Sequence, residues 1–319
     1  MTPAQSPILT VTLNPALDLS VDAPRVVPNE KLRVGQPVIE PGGGGINVSR
    51  AIRLLGGASQ AMAAVAGLTG ARLKQLLQAE GVTLVTHRAE GDTRQNLTVT
   101  DQANGAQYRF TMPGPAWPAG QTKAMEQAIA AQVQRDGLVV LSGSQPPGVP
   151  ATFPADLAAT VAGAGARLIV DTSGPALAGL LQAPASPPPF ILRLDEAEAR
   201  AVGDAPLAPP ASADLAADLV ARGVAEGVLV ACGAAGSVLA MQGQRLHCAP
   251  PQVRVRSKVG AGDSFTAGFT LALARDEPLA AALQLATAAA AAAVMTSATE
   301  LCRAEDVTAL LPDCRVSAL

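Results

Sequence analysis

The sequence predicts an α/β fold in which a central, mostly parallel sheet lies between helices and carries a small antiparallel β appendage. First, four short apolar runs in the second half of the chain are each followed by small or acidic residues, as parallel β/α units require. Second, short alternating segments before residue 112 follow one another without an intervening helix. Third, a glycine-rich turn opens an apolar helix near the start of the chain.

The chain begins with an apolar, β-branched run at residues 7–13, which predicts the first strand. Pro15 ends this strand and leaves Asp18 close to its carboxyl end. Open α/β sheets bind their ligands at that edge, so Asp18 is a candidate ligand-binding residue. The alternative is that Asp18 is an ordinary turn residue.

Four consecutive glycines at residues 42–45 precede the apolar positions of a helix that ends at Gly56 and Gly57. Glycine lets a backbone approach a ligand closely and adopt positive φ. The spacing differs from the G-x-G-x-x-G of a dinucleotide site. We therefore predict a turn that binds a sugar or a phosphate, with Asn47 directed at ligand hydroxyls. The alternative is a plain tight turn.

The β appendage is predicted from three alternating segments: residues 83–88, 95–100 and 106–111. Asn104-Gly105, between the last two, is a strong hairpin signal. Basic residues near the appendage could bind a phosphate through charge-assisted hydrogen bonds: Lys31, Arg94 and Arg109. For any one of them alone, a solvated strand edge is the better explanation. Such an appendage could serve as a lid or as a dimerisation surface.

The four apolar runs that predict parallel strands are residues 138–141, 167–170, 190–194 and 227–231. The proline-rich segments 183–189 and 205–210 lie between such units and are loops rather than linkers, so we predict a single domain over residues 1–319. Asp195 and Glu198, three residues apart at a predicted helix start, could hold water-coordinated Mg²⁺. Taken singly, acids at a helix N-terminus are more often dipole-stabilising residues.

The strongest chemical signal is Val259-Gly260-Ala261-Gly262-Asp263-Ser264, which precedes an apolar helical pattern. This arrangement presents an Asp at a helix N-terminus, where successive backbone N–H groups form an anion site. A carboxylate beside such a site suits proton removal from an alcohol while the N–H groups stabilise a transferring phosphoryl group. The alternative is an ordinary loop with an Asp N-cap.

Composition excludes several other classes of protein. The net charge of −3 argues against a general nucleic-acid or anionic-membrane binder. Four widely spaced cysteines and two histidines predict neither a zinc site nor a disulfide framework. The N-terminus lacks signal-peptide features, and the alanine-rich stretch at 283–294 favours a buried helix over a membrane span. We therefore predict a soluble, cytoplasmic protein.

Together these residues resemble the PfkB family of ribokinase-like sugar kinases over nearly the whole chain. The two diagnostic segments are Pro41-Gly42-Gly43-Gly44-Gly45-Ile46-Asn47-Val48 and Gly260-Ala261-Gly262-Asp263-Ser264. The resemblance implies a ribokinase-like α/β fold with a small antiparallel β lid, formed by about residues 19–40 and 84–112. In this family the lid commonly pairs with that of a second subunit, which implies a homodimer.

The resemblance also implies roles for the candidate residues. Asp263 would be the general base, beside an anion hole formed by the N–H groups of Gly260, Ala261 and Gly262. The residues implied to hold sugar hydroxyls are Asp18, Gly43, Gly44 and Asn47. Those implied to surround the existing phosphate of a phosphosugar are Lys31, Arg94, Arg109 and Ser144.

Further segments are similar to those of family members that phosphorylate fructose 6-phosphate: Lys31-Leu32-Arg33, Thr93-Arg94-Gln95-Asn96-Leu97, Gln107-Tyr108-Arg109-Phe110, Ser142-Gly143-Ser144, Pro146-Pro147-Gly148 and Leu301-Cys302. This similarity implies transfer of the ATP γ-phosphoryl to the 1-hydroxyl, giving fructose 1,6-bisphosphate. A kinase of fructose 1-phosphate or tagatose 6-phosphate is the nearest alternative. A sugar-phosphate-binding protein without catalysis is a second, and a nicotinamide-dependent dehydrogenase is weaker still.

The chain departs from the family pattern on the nucleotide side. Asp195 stands where an Asn is usual, whereas Glu198, the implied Mg²⁺ ligand, is retained. Gly233 and Gly236 lie in the implied nucleotide loop, and Lys258 replaces a small hydroxyl residue. Residues 296–300 also differ from the segment that holds a monovalent cation in relatives, which leaves K⁺ binding open. We hypothesise that Lys258 neutralises donor phosphate charge in place of K⁺.

Overall fold

A computed structural model describes residues 4–203, 208–297 and 300–319. Three sequence predictions extend beyond these ranges. They concern the first residues of the N-terminus (1–3), the proline-rich segment 205–210 at residues 205–207, and the segment 296–300 at residues 298–299.

The larger sheet has ten strands, which are, from one edge to the other, β14 (Arg315–Ala318), β13 (Gln244–Ala249), β12 (Ser237–Met241), β11 (Gly227–Ala231), β10 (Ile191–Leu194), β9 (Arg167–Asp171), β8 (Leu138–Ser142), β1 (Ile8–Thr12), β4 (Gln60–Val65) and β5 (Thr83–Arg88). All neighbours from β11 to β5 pair in parallel, and β12, β13 and β14 add antiparallel pairs. The predicted α/β class and the predicted strands β1, β8, β9, β10 and β11 are confirmed.

Helices cover both faces of this sheet: α1 (Gly44–Leu54), α2 (Gly67–Ala79), α3 (Gln121–Ala130), α4 (Phe153–Gly163), α5 (Gly174–Gln182), α6 (Glu196–Gly203), α7 (Pro209–Ala221), α8 (Ala261–Ala274), α9 (Leu279–Val294) and α10 (Ala304–Leu310). Successive residues of a strand point to opposite faces. Leu9 and Val11 accordingly belong to the apolar cluster that includes residues of α3, α4, α5 and α7, whereas Ile8 belongs to the cluster that includes residues of α1, α8 and α9.

The alanine-rich stretch forms the buried helix that its composition predicts. Ala286, Ala289 and Ala293 of α9 are fully buried, and they pack in the same apolar cluster as Phe269 of α8. Within the three described ranges, no helix combines the length and apolar character needed to cross a bilayer.

A second, four-stranded sheet projects from the larger one, and we call it the lid. Its strand order is β3 (Val38–Gly42), β2 (Ala16–Ala23), β6 (Arg94–Asp101) and β7 (Gln107–Phe110). The outer pairs, β2–β3 and β6–β7, are antiparallel, and the central pair, β2–β6, is parallel. The register places Asp18 beside Glu40 and Asn96 on one face, and Leu19 beside Ile39 and Leu97 on the other.

One predicted lid segment belongs elsewhere. Residues 84–88 lie in β5, which pairs in parallel with β4 at the edge of the larger sheet. The helix α2 between these two strands makes the connection of an ordinary β/α/β unit. The prediction was wrong here because an edge strand of a large sheet is half exposed. Its apolar and polar residues therefore alternate as they do in a strand of an appendage.

Candidate active site

Asn47, Asp263 and Asp18 lie close to one another at the carboxyl ends of the parallel strands. Three parts of the chain meet there: the turn into α1, the polar face of the lid and the N-terminus of α8. The sequence predicts this edge as the site because Asp18 follows the first strand, and because small or acidic residues follow β8, β9, β10 and β11.

The glycine-rich turn fits tightly between the ends of β1 and β8. Gly43 has φ of 117°, which strongly favours glycine. A Cβ on Gly44 would lie 2.7 Å from the backbone nitrogen of Gly143, so a side chain there would collide with the loop after β8. Ile46 N–H donates to Thr12 Oγ1 at 2.9 Å, which anchors the helix to β1 and sets Asn47 in the first turn.

Asn47 meets Asp263 across this edge. Its Nδ2 donates a hydrogen bond of 2.9 Å to Asp263 Oδ2. Gly260 is the N-cap of α8, with φ of 76°, and its carbonyl accepts from Ser264 N–H at 2.8 Å. The N–H groups of the first turn that follow Gly260 have no carbonyl acceptor within the helix, so they are available to an anion beside Asp263.

The pKa of the Asp263 carboxyl group is raised toward neutral pH. Desolvation raises its pKa to about 6, and the hydrogen bond from Asn47 opposes the rise. The negative charges of Asp171 and Asp18 raise the pKa further, while Arg193 lowers it. Asp263 is therefore ionised at pH 7 and still basic enough to accept a proton at a useful rate.

A buried ion pair lies beside Asp263 and was not among the predicted site residues. Arg193 Nη1 donates to Asp171 Oδ1 at 2.9 Å, and Thr266 Oγ1 donates to Asp171 Oδ2 at 2.8 Å. The guanidinium packs against Gly262, with its Cζ 5.7 Å from the ring centroid of Phe265. A charged residue inside the apolar run 190–194 was a signal for Arg193 itself, although it does not indicate the partner.

On the lid, Asp18 faces the same space. Its Oδ1 accepts from Asn96 Nδ2 at 2.8 Å. Burial raises the pKa of Asp18, and the positive charges of Arg94, Arg50 and Arg109 oppose that rise. The structure therefore brings Arg94 and Arg109 into the electrostatic neighbourhood of Asp18.

The predicted phosphate-binding residues differ in how they are held. Arg94 is anchored, since Nη2 and Nη1 donate to the carbonyls of Asn14 and Met112 at 3.0 and 3.1 Å. Asn14, which was not predicted, also donates through Nδ2 to Ser144 Oγ at 3.2 Å. Arg109 is exposed on β7, and Lys31 is exposed between β2 and β3. Among the described residues, Lys31 makes no hydrogen bond or ion pair with this set.

On the nucleotide side, Asp195 and Glu198 cap each other at the start of α6. Asp195 N–H donates to Glu198 Oε2 at 2.8 Å, and Glu198 N–H donates to Asp195 Oδ1 at 2.7 Å. This reciprocal pair is a capping box, the helix-terminal role weighed as the alternative to metal binding. Burial raises the pKa of Glu198 to about 7, with further contributions from Asp195 and Asp171.

One oxygen of each capping carboxyl group remains outside the capping box. Across residues 4–203, 208–297 and 300–319, no three acidic, histidine or cysteine side chains form a ready metal cage. Mg²⁺ in kinases is commonly held by one or two carboxylates together with substrate phosphates and water, and Glu198 suits that mode. A cation beside this half-buried carboxyl group would stabilise its ionised form.

The implied nucleotide loop follows β11. Gly233–Ala235 form a single 3₁₀ turn, and Gly236, with φ of 99°, returns the chain to β12. Cys232 N–H donates to the carbonyl of Gly236 at 2.7 Å and closes the turn. Lys258 is exposed two residues before the N-cap of α8.

Comparison with known proteins places this geometry in a family. Residues 11–306 match the model of the pfkB family carbohydrate kinases. The "ATP-dependent 6-phosphofructokinase isozyme 2" of Escherichia coli is 38% identical over 300 residues, 94% of this chain and 96% of that protein. A "1-phosphofructokinase" of Xanthomonas campestris is 32% identical over 269 residues, 84% of each protein.

Crystal structures of phosphofructokinase-2 from E. coli have the same fold. The complex with fructose 6-phosphate superposes with a TM-score of 0.88 at 35% identity, and the complex with potassium with a TM-score of 0.90 at 36%. A tetrameric inhibited form gives a TM-score of 0.88 at 36% identity. Each comparison covers 97% of this chain and 99% of the other. The family model matches most of this chain, and the chain shares its fold with the E. coli enzyme. The chain therefore belongs to the pfkB family of carbohydrate kinases.

Proposed function

We propose that this enzyme transfers the γ-phosphoryl group of ATP to the 1-hydroxyl of fructose 6-phosphate, giving fructose 1,6-bisphosphate and ADP. The observation that carries the proposal is the hydrogen-bonded pair of Asn47 and Asp263 at the N-terminus of α8, facing the polar side of the lid. The similarity to 6-phosphofructokinases over 94% of the chain supports the choice of substrate.

Asp263 serves as the general base in this proposal. It accepts the proton of the 1-hydroxyl as that oxygen attacks the γ-phosphorus in line with the departing ADP. The N–H groups of Gly260, Ala261 and Gly262 stabilise the charge on the transferring group. The reaction forms no covalent enzyme intermediate, so the protein contributes positioning and charge.

The lid and the glycine-rich turn bind the acceptor. Asp18 and Asn47 form hydrogen bonds with the sugar hydroxyls. Gly43 and Gly44 allow the sugar to lie against the backbone. The 6-phosphate is bound by Lys31, Arg94, Arg109 and Ser144. Because a dianionic phosphate forms charge-assisted hydrogen bonds that a neutral sugar lacks, these residues favour a phosphorylated substrate.

The donor side binds ATP near Gly233, Gly236, Asp195 and Lys258. Glu198 would hold Mg²⁺, which supplies positive charge to the donor phosphates. Lys258 would add a fixed positive charge before α8, with K⁺ as a further candidate for that task. ATP and phosphosugars are metabolites of the cell interior, so we place the enzyme in the cytoplasm.

We also propose a homodimer formed through the lid. Its apolar lid face includes Leu19, Ile39, Leu97, Tyr108 and Phe110. Tyr108 and Phe110 are 40% and 54% exposed, which is unusual for aromatic side chains of a β-sheet unless another surface covers them. The tetrameric inhibited form of the E. coli relative supports self-association of this fold.

A coupled ADP-release assay with Mg-ATP tests the function directly. The acceptors are fructose 6-phosphate, fructose 1-phosphate, tagatose 6-phosphate and free fructose, with Asp263→Asn as the blank. We expect turnover on fructose 6-phosphate that falls about 10²–10⁴-fold in the variant. Preference for another phosphosugar would instead support the activity of the X. campestris relative or tagatose-6-phosphate kinase. Binding of sugar phosphate without any turnover would indicate a non-catalytic protein or another donor.

A further inference from the structure

Arg50 occupies a junction that the proposed mechanism does not use. It lies on α1 one turn after Asn47, and its side chain is only 11% exposed. Nη1 donates to Asn47 Oδ1 at 3.3 Å and to the carbonyl of Pro41 at 3.2 Å. Nε and Nη2 donate to the two carboxylate oxygens of Glu80 at 2.7 and 2.9 Å, and Nη2 lies 3.5 Å from Glu40 Oε1.

These contacts determine which way the Asn47 amide points. A carboxamide has an acceptor end and a donor end, and a guanidinium can only donate. With Arg50 donating to Oδ1, the NH₂ group of Asn47 is directed at Asp263, where it donates at 2.9 Å. The reversed amide would place NH₂ against Arg50 and a carbonyl oxygen against a carboxylate, and both contacts would be repulsive.

The same guanidinium ties the lid to the helix. Pro41 and Glu40 belong to β3, and Glu40 lies directly opposite Asp18 in the register of the lid. Between β3 and α1 the chain passes through Gly43. Arg50 spans this turn from the helix side, so displacement of β3 relative to α1 must strain or break its contacts to Pro41 and Glu40.

We propose that Arg50 is a positioning residue that couples the lid strand β3 to the Asn47–Asp263 hydrogen bond. The inference rests on the proposed function, since it assigns Arg50 a task in phosphoryl transfer. Glu80 holds the guanidinium in place with two hydrogen bonds, and Arg50 in turn orients the amide that contacts the base. Sugar bound under the lid thereby keeps Asp263 in its reactive orientation.

A double-mutant cycle in kinetics tests this coupling, with wild type, Arg50→Gln, Asn47→Ala and the double variant. We expect Arg50→Gln to lower kcat about tenfold or more, because small misplacements of reacting groups are costly. The effect on KM for the phosphosugar should be smaller. In the Asn47→Ala background, Arg50→Gln should have little further effect. Equal effects in both backgrounds, or no effect in either, would overturn the proposal.

Control variants separate this role from a purely structural one. Arg53→Gln removes an exposed arginine of the same helix, which donates to the carbonyl of Gly81, and should leave kcat unchanged. Glu80→Gln weakens the anchor of Arg50 and should lower kcat in the same direction by less. Arg50→Lys keeps the positive charge but lacks the planar guanidinium group. It replaces Arg50→Gln in these measurements if Arg50→Gln fails to fold. A drop in thermal midpoint without a change in kcat would contradict the proposal.

A measurement without substrate distinguishes failure of the proposed function from failure of the role given to Arg50. Carboxyl NMR of Asp-labelled enzyme, with the Asp263 signal assigned by Asp263→Asn, follows the titration of the base. The groups that face it are Asn47, Asp171, Arg193 and Asp18. Arg50→Gln should raise the pKa of Asp263, and Arg53→Gln should not. An inactive wild type would defeat the proposed function, whereas an unmoved titration would defeat the role of Arg50.

Discussion

Asn47 and Asp263 are 216 residues apart in the chain, and a 2.9 Å hydrogen bond joins them at the centre of the site. The bond connects the first turns of two helices, α1 and α8, that start at the same edge of the sheet. It gives one oxygen of the Asp263 carboxylate a fixed donor. In the proposed mechanism, the reactivity of the base therefore depends on a residue from the glycine-rich turn.

The first prediction concerns pH. Since the pKa of Asp263 is raised to about 6 and the base must be ionised to accept a proton, kcat/KM should fall below about pH 6. Asn47→Ala removes a donor that favours the ionised form, so the acid limb should move upward by about half to one pH unit. The measurement is a pH profile of kcat/KM. Asn104→Ala, in the exposed hairpin, should leave the limb in place, and an unmoved limb in Asn47→Ala would contradict the role given to this bond.

The second prediction separates the two roles of Glu198. A Gln at the third helical position can still complete a capping box, so Glu198→Gln should keep its thermal midpoint close to that of the wild type. It loses the negative charge that would hold Mg²⁺. The Mg²⁺ concentration for half-maximal activity at fixed ATP should therefore rise at least severalfold. An unchanged Mg²⁺ titration would leave Glu198 with a capping role only.

The third prediction addresses selectivity for a phosphorylated sugar. Arg109 is exposed and lies close enough to Asp18 to influence its pKa. Arg109→Gln should lower kcat/KM for the phosphosugar by about tenfold, the effect of one partly solvated charge-assisted hydrogen bond. Activity on free fructose should change much less. Arg222→Gln, which removes an exposed arginine just after α7, is the matched control, and equal losses on both sugars would argue against phosphate binding by Arg109.

The fourth prediction is a test of assembly. Phe110→Glu places a charge on the apolar lid face and should shift the enzyme toward monomers in sedimentation velocity experiments. Leu54→Glu changes a leucine of similar exposure, 47% against 54%, at the end of α1, and should not alter the assembly state. A monomeric wild type, or the same response in both variants, would contradict dimerisation through the lid.

The fifth prediction concerns the positive charge before α8. Lys258→Ala should lower activity with Mg-ATP, and added K⁺ should restore part of it if a cation can take over the lost charge. Lys123→Ala removes another exposed lysine and serves as the control. Full activity of Lys258→Ala without any response to K⁺ would rule out the proposed replacement.

Much of the fold and the centre of the site could be predicted because their signals are local. Apolar runs that end in small or acidic residues identify β8 to β11, and the two glycine-rich helix starts identify the turns that carry Asn47 and Asp263. Residues 19–40 were assigned to the lid by the family resemblance alone, because the residues themselves did not predict strands β2 and β3. The first contains two Asp and the second ends in Pro41-Gly42, so their strand propensity is low and pairing within the lid stabilises them.

Other features depend on contacts between distant parts of the chain. Arg193, Asp171 and Thr266 come from three separate segments, and nothing in any one of them indicates that the three side chains meet. Likewise, the alternation of β5 fits either sheet, and the choice follows from its partner β4. Sequence patterns identify which groups could act, and the fold decides which of them act together.

The parallel pairing of β2 with β6 affects how the enzyme folds. Two separate segments of the chain form the lid, one between β1 and α1 and the other between β5 and α3. Strands β4 and β5 of the larger sheet and helix α2 lie between these segments in the sequence. Contacts of such long sequence separation are slow to form. Strand β2 can therefore pair with β6 only after the intervening segment that holds β4, α2 and β5 has been made. For the same reason, the lid cannot be removed or transplanted as one continuous insert.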